Sequence, residues 1–248
     1  MEIGHGGGSA ELIDQSETTD LKKRRYFADL AMRYLPQMRL DLRGGGLWKS
    51  DGWRNVLEHC LVQTASSEVL ADLLKLDDET KKRIAVTAAC HDWDKRLDVE
   101  LAKEKITPEE RSEIEAEAER FFQAAGPDAI LLKSTGPEHY SKSIMHPQEV
   151  SLAEKIQDYV DNIHRGDNIV PFKERIDEVE ERNPHVGDYL EQDDRLDGLT
   201  FWQAVRKIGG EEEKEIFDRL IANGVEVDNP DDVPMLIKAE IEKRIESS

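Results

Sequence analysis

Two ionisable side chains close an apolar helical turn, and they are where this sequence could do chemistry. Residues 84–90, Ile84-Ala85-Val86-Thr87-Ala88-Ala89-Cys90, are apolar almost all round, the pattern of a helix buried on every side. The run ends in His91-Asp92. An imidazole and a carboxylate at the edge of a core are costly unless something satisfies them. A divalent metal ion would do so, because imidazole nitrogen and carboxylate oxygen suit Zn, Mn, Fe and related ions. A hydrogen-bonded structural pair would do so as well, and the dipeptide alone does not separate the two. Adjacent helical residues point about 100° apart, so His91 and Asp92 share one ion only at the helix edge. The remaining ligands must then come from other helices. His59 lies on the preceding amphipathic helix, beside Cys60 and Leu61. Asp158 and Asp161 lie on a helix whose apolar residues are Leu152, Ile156, Tyr159, Val160 and Ile163. A helical wheel puts Asp161 nearly opposite the apolar centre and Asp158 further round, so periodicity leaves both open.

The elements that would position these groups are helices nearly throughout. Residues 1–20, with Gly6-Gly7-Gly8 and several Ser, Thr and Asp, read as a flexible lead. From Leu21 onward Tyr26, Leu30, Tyr34 and Leu35 recur at helical spacing. Gly44-Gly45-Gly46 reads as a loop, since no strand precedes it and no helix with a suitably spaced Lys follows. A helix starts near Ser50 or Asp51, and another is opened by Asp77-Asp78-Glu79, with acids at its positive end. Thr107-Pro108-Glu109-Glu110 reads as a capped start, with Thr as cap, Pro at the first helical position and Glu110 closing a capping box. Further helices are expected from about Pro147 to Ile163, from Phe201 to Ile208, from Glu211 to Asn223 after a break at Gly209-Gly210, and from Pro234 to Ile245. Period-2 runs are few and no strand–helix alternation is seen, so the fold class is all-α.

The order His59, then Cys90-His91-Asp92-Trp93-Asp94-Lys95, then Tyr159-Val160-Asp161-Asn162-Ile163, resembles the HD-domain metal-dependent phosphohydrolases. Their pattern is a lone His, a later His-Asp pair and a late Asp, all on helices. His59 and His91 are 32 residues apart, which fits. The segments around His59 and around Ile169 to Arg175 are similar to the family as well, so the resemblance covers residues 50–180. It implies an HD-like helical bundle with additional C-terminal helices. It selects Asp161 over Asp158, and implies that His59, His91, Asp92 and Asp161 ligate one divalent ion (Mn, Fe, Zn, Mg, Co or Ni). Asp92 would also contact the attacking water. Lys95, three residues on, resembles a family Lys and would neutralise a substrate phosphate. Asp92 and Lys95 are thus the catalytic candidates. Some members recruit extra histidines, which makes His139 and His146 candidates for substrate or a second metal, although Gly136-Pro137 and Pro147 suggest a loop there. Arg54, five residues before His59, is a candidate phosphate contact. Trp93 and Asp94 depart from the apolar residue and Gly that many members place there. The acidic pair of the guanosine-tetraphosphate hydrolases and the Gly-Tyr-Pro signature of the cyclic-dinucleotide phosphodiesterases are absent, so no substrate class transfers.

The expected activity is metal-dependent hydrolysis of a small phosphate ester such as a nucleotide. The alternative is a non-catalytic helical metal- or nucleotide-binding module. Composition bounds both. The 248 residues carry 34 Lys+Arg and 54 Asp+Glu, a net charge of −20. That field argues against long nucleic acid and against anionic membranes. Two cysteines exclude a disulfide scaffold, residues 1–20 lack the apolar core of a signal peptide, and a cytoplasmic location is expected. The oligomeric state is open. The charge is uneven: residues 1–50 are net +1, residues 51–176 net −9 and residues 177–248 net −12. Three segments are expected, namely residues 1–20, an HD-like domain over 21–180, and an acidic C-terminal extension over 181–248.

Overall fold

The computed structural model describes residues 9–34, 54–92, 106–126, 131 and 136–248. Among these the chain is all-α, with ten α-helices and one two-stranded hairpin. The helices are α1 (Ser9–Tyr34), α2 (Arg54–Leu73), α3 (Asp78–Cys90), α4 (Pro108–Ala125), α5 (Pro137–Met145), α6 (Leu152–Asn162), α7 (Phe172–Arg182), α8 (Asp188–Gln192), α9 (Phe201–Ala222) and α10 (Val233–Glu246). The hairpin strands are β1 (His164–Arg165) and β2 (Asn168–Ile169). No helix among the described residues is long and apolar enough to cross a membrane.

Helices α2, α3 and α6 pack on one another and form the centre. Every residue from Ile84 to Cys90 on α3 is buried, as its all-round apolar sequence requires. Asp77 caps this helix by accepting from the Thr80 amide, and Thr107 and Glu110 form the expected capping box of α4. Helix α9 packs against α5, α6 and α7, while α10 packs against α1 and α2. Glu68 on α2 fastens the first helix, accepting from Arg33 Nη1 at 2.7 Å and Tyr34 Oη at 2.6 Å. Asp72 fastens the last, accepting from Arg244 Nη2 at 2.7 Å.

Four local expectations change. The first helix begins at Ser9 rather than Leu21, because neither Gly nor Pro interrupts 9–34. Helix α6 begins at Leu152 rather than Pro147, because Ser151 and Glu154 form a capping box that starts a new helix after a short 3₁₀ turn. His139 lies within a helix, since Pro137 takes the first helical position and initiates α5 instead of ending it. The helix starting at Phe201 runs unbroken through Gly209-Gly210 to Ala222.

Gly209 is small for a packing reason. A Cβ there would stand 2.3 Å from Phe172 Cζ, an impossible approach, while a Cβ at Gly210 would meet nothing within 4 Å. The two glycines should therefore respond oppositely to alanine. Gly209→Ala is expected to destabilise the protein by about 1–3 kcal/mol through overpacking. Gly210→Ala is expected to stabilise it by about 0.5–1 kcal/mol through helix propensity and a less flexible unfolded chain. Urea unfolding of both variants measures the pair of signs.

Candidate metal centre

Three helices bring the predicted residues together. His59 comes from the first half of α2, His91 and Asp92 from the end of α3, and Asp161 from the end of α6. His91 caps α3, and its Nδ1 lies 2.8 Å from the Ala88 carbonyl, one of the acceptors that the last helical turn leaves open. His59 Nδ1 lies 2.7 Å from the Gly166 carbonyl. That carbonyl is delivered by the hairpin, in which His164 pairs with Ile169 and Arg165 with Asn168 around a two-residue turn. Gly166 sits in the turn at φ +62°, a conformation that suits glycine at the first turn position. With both Nδ1 atoms facing carbonyls, both Nε2 atoms turn toward the carboxylates. His59 Nε2 is 3.8 Å from Asp92 Oδ2 and 3.7 Å from Asp161 Oδ1. His91 Nε2 is 3.6 Å from Asp92 Oδ1 and 3.6 Å from Asp161 Oδ1. These separations exceed hydrogen bonds, and His91 Nε2 is buried with no hydrogen-bond partner.

That geometry fits a cation. His59, His91 and Asp92 each offer a ligand atom within 4.8 Å of the others and could hold a metal ion, with Asp161 Oδ1 reaching both imidazoles. Asp161 is half open to solvent, at 50% exposure of its side chain, so the centre has an accessible side. Crowding by the neighbouring protein atoms opposes ionisation of the Asp161 carboxyl, yet the two imidazoles and the Gln63 amide hold it well below the usual carboxylate range. Burial likewise opposes protonation of His59, and the Asp161 and Asp92 carboxylates outweigh it and raise the imidazole. Cys60 and Cys90 are buried thiols; Cys90 Sγ donates to the Val86 carbonyl at 3.0 Å, and Cys60 Sγ lies 3.9 Å from His91 Nδ1.

Two residues outside the expected ligand set complete the surroundings. Gln63, one turn after His59, donates from Nε2 to Asp161 Oδ1 at 2.7 Å, and the same Nε2 lies 2.9 Å from His59 Nε2. His164 is fully buried behind His59, with Nε2 3.0 Å from Ser66 Oγ and Nδ1 against the Val160 carbonyl. Burial pushes His164 down to about 3.

Other candidates fall elsewhere. Asp158, the alternative to Asp161, turns to a second buried group with His139 and Glu212. His146 is exposed, with Nδ1 4.0 Å from Glu149 Oε1, and belongs to neither group. Lys95 lies outside the described residues, as do Trp93, Asp94 and the helix start near Ser50 or Asp51. Arg54 opens α2, and its side chain lies outside them too. The chain matches no known family model, no curated protein and no solved structure.

His164 gives the metal-free protein a defined pH response. Its folded value of about 3 lies below the ordinary 6.5, so between those limits the unfolded chain binds the extra proton. Stability is then lost as pH falls below 6.5, at up to about 1.4 kcal/mol per unit. Replacing His164 with Gln should flatten the profile between pH 6.5 and 4, measured by urea unfolding in the presence of chelator. An unchanged slope would mean that folded His164 titrates normally.

Proposed function

We propose that this chain is a divalent-metal-dependent phosphohydrolase of the HD-domain type, acting on a small phosphate ester such as a nucleotide. One observation carries the reading. Two imidazoles from different helices are held through Nδ1 by the Ala88 and Gly166 carbonyls and turn their Nε2 atoms toward two carboxylates. Such backbone-anchored histidines are the usual arrangement around a catalytic metal. His59, His91, Asp92 and Asp161 would hold the ion, which when bound lowers the pKa of a water and polarises a phosphoryl oxygen. Asp92, half-buried and close to both imidazoles, would contact that attacking water. The open side of Asp161 admits the ester. Lys95 would neutralise its phosphate.

The second reading, a metal- or nucleotide-binding module without turnover, is favoured by Gln63. Its amide already engages His59 Nε2 and Asp161 Oδ1, so part of the centre is satisfied by the chain itself.

Elemental analysis of the purified protein, followed by a phosphomonoester and phosphodiester panel with the metal found, separates the two. The phosphohydrolase should carry metal and turn over at least one ester. His91→Ala with Asp92→Ala should remove the metal held at this centre, and turnover with it. Lys95→Ala should retain metal and lower kcat/KM by roughly a hundredfold, the loss typical of one charge-stabilising donor. Metal without turnover across the panel selects the binding module, and absence of metal sinks both readings.

A further inference from the structure

Helices α5, α6 and α9 meet at a second group that the first centre does not use. His139 on α5, Asp158 on α6 and Glu212 on α9 are 0%, 6% and 3% exposed. Their ligand atoms all lie within 4.8 Å of one another. His139 Nε2 is 2.7 Å from Glu212 Oε1. Asp158 is held in place by its neighbours: Oδ2 accepts from Tyr140 Oη at 3.2 Å and from Asn162 Nδ2 at 2.9 Å. Two polar atoms of the group, His139 Nδ1 and Glu212 Oε2, are buried without a hydrogen-bond partner.

The charge of the group is the decisive point. With both carboxylates ionised and the imidazole neutral, the group would place two negative charges in the protein interior, a heavy desolvation cost unless a cation or protons compensate them. Among the described residues the lysines of α5 and α6 are engaged elsewhere, Lys142 with Glu154 at 2.6 Å and Lys155 with Glu215 at 2.7 Å. A divalent cation balances the group. One imidazole with two carboxylates is a donor set for Zn²⁺, Mn²⁺ or Fe²⁺, and the Tyr140 and Asn162 contacts are the kind of outer support that orients a ligating carboxylate.

We propose that His139, Asp158 and Glu212 form a second divalent-cation site, separate from the His59 centre, that ties α9 to α5 and α6. Two of its ligand helices, α5 and α6, are consecutive and the third, α9, lies well downstream, so the ion clasps the C-terminal part of the chain onto the helix that carries Asp161. Without an ion the same residues must hold protons instead. Burial raises Asp158 and Glu212, and the two carboxylates outweigh burial to raise His139. The proposal does not depend on the reading of the first centre.

The test is a Zn²⁺ titration of chelator-stripped full-length protein, read by calorimetry and by elemental analysis after desalting. The background variant is His91→Ala with Asp92→Ala, which disables the first centre. It should keep one equivalent of Zn²⁺, and Zn²⁺ should raise its Tm. Adding Glu212→Gln should abolish both the equivalent and the Tm rise. In otherwise unaltered protein, Glu212→Gln should remove one equivalent, which serves if the double variant does not fold. Glu212→Gln should also leave the metal-free Tm unchanged or higher, because it removes a crowded carboxylate, so lost binding is not lost folding. If unaltered protein binds one equivalent that Glu212→Gln removes and the background variant keeps, the first centre fails and this site stands. Zn²⁺ that survives Glu212→Gln in the background variant, or a folded background variant that binds none, overturns it and leaves a proton-sharing acid pair.

Discussion

His59 and His91 are fixed by what their outward nitrogens touch. With Nδ1 of His91 against Ala88 and Nδ1 of His59 against Gly166, neither ring can turn without losing a hydrogen bond. The first of these bonds belongs to α3 itself, because the carbonyl is an open acceptor of its own last turn. The second belongs to tertiary structure, because it requires the hairpin after α6 to fold back across α2. The site therefore depends on the whole arrangement of α2, α3, α6 and the hairpin, although each residue in it is contributed locally. It also explains why His164 is buried in the strand that supports that turn: Ser66 and Val160 hold it to α2 and α6, where it backs the His59 ring.

The charge of −20 acquires a structure once the folded positions are known. The most acidic part of the chain, residues 177–248, does not present all of its carboxylates to solvent. Glu212 and Glu213 are buried. Arg206 pairs with Asp177 and Glu180, and Lys155 pairs with Glu215, so the acids of α7 and α9 also fasten helices to one another. Exposed pairs of this kind contribute little individually. The buried carboxylates are different, because each needs a specific partner or a proton. An acidic C-terminal region thus serves partly as internal attachment and only partly as a solvated face.

Legibility in the sequence followed the kind of signal. The α3 core was readable because seven buried residues in a row leave no polar face to misplace. The capping boxes were readable at Thr107 and missed at Ser151, where Pro147 supplied a stronger apparent start. His59, His91 and Asp92 could be nominated from residue type and position, whereas Asp161 was chosen over Asp158 by resemblance alone. Glu212 was hidden by Glu211 and Glu213, since three successive acids read as a solvated run. Spacing did carry its signature, because Glu212 lies four residues after Ile208 and four before Ile216, and all three are buried. The contacts of Gln63 and His164 are formed only when α2, α6 and the hairpin are brought together.

The failure of the helical wheel on α6 has a physical meaning. A wheel assumes one apolar face and one solvated face. On α6 the apolar stripe of Ile156, Tyr159 and Val160 is flanked by Asp158, which is buried against α5 and α9, and by Asp161, which turns an oxygen toward the imidazoles of α2 and α3. Residues three apart on a helix are near neighbours, with Cβ atoms about 5–6 Å apart. The two carboxylates are therefore within electrostatic reach, and Asp161 is among the groups that raise Asp158. Any positive charge gained by one group, whether cation or proton, lowers the cost of ionising the carboxylate of the other. One short helix consequently couples the attachment of the C-terminal helices to the charge state of the candidate metal centre.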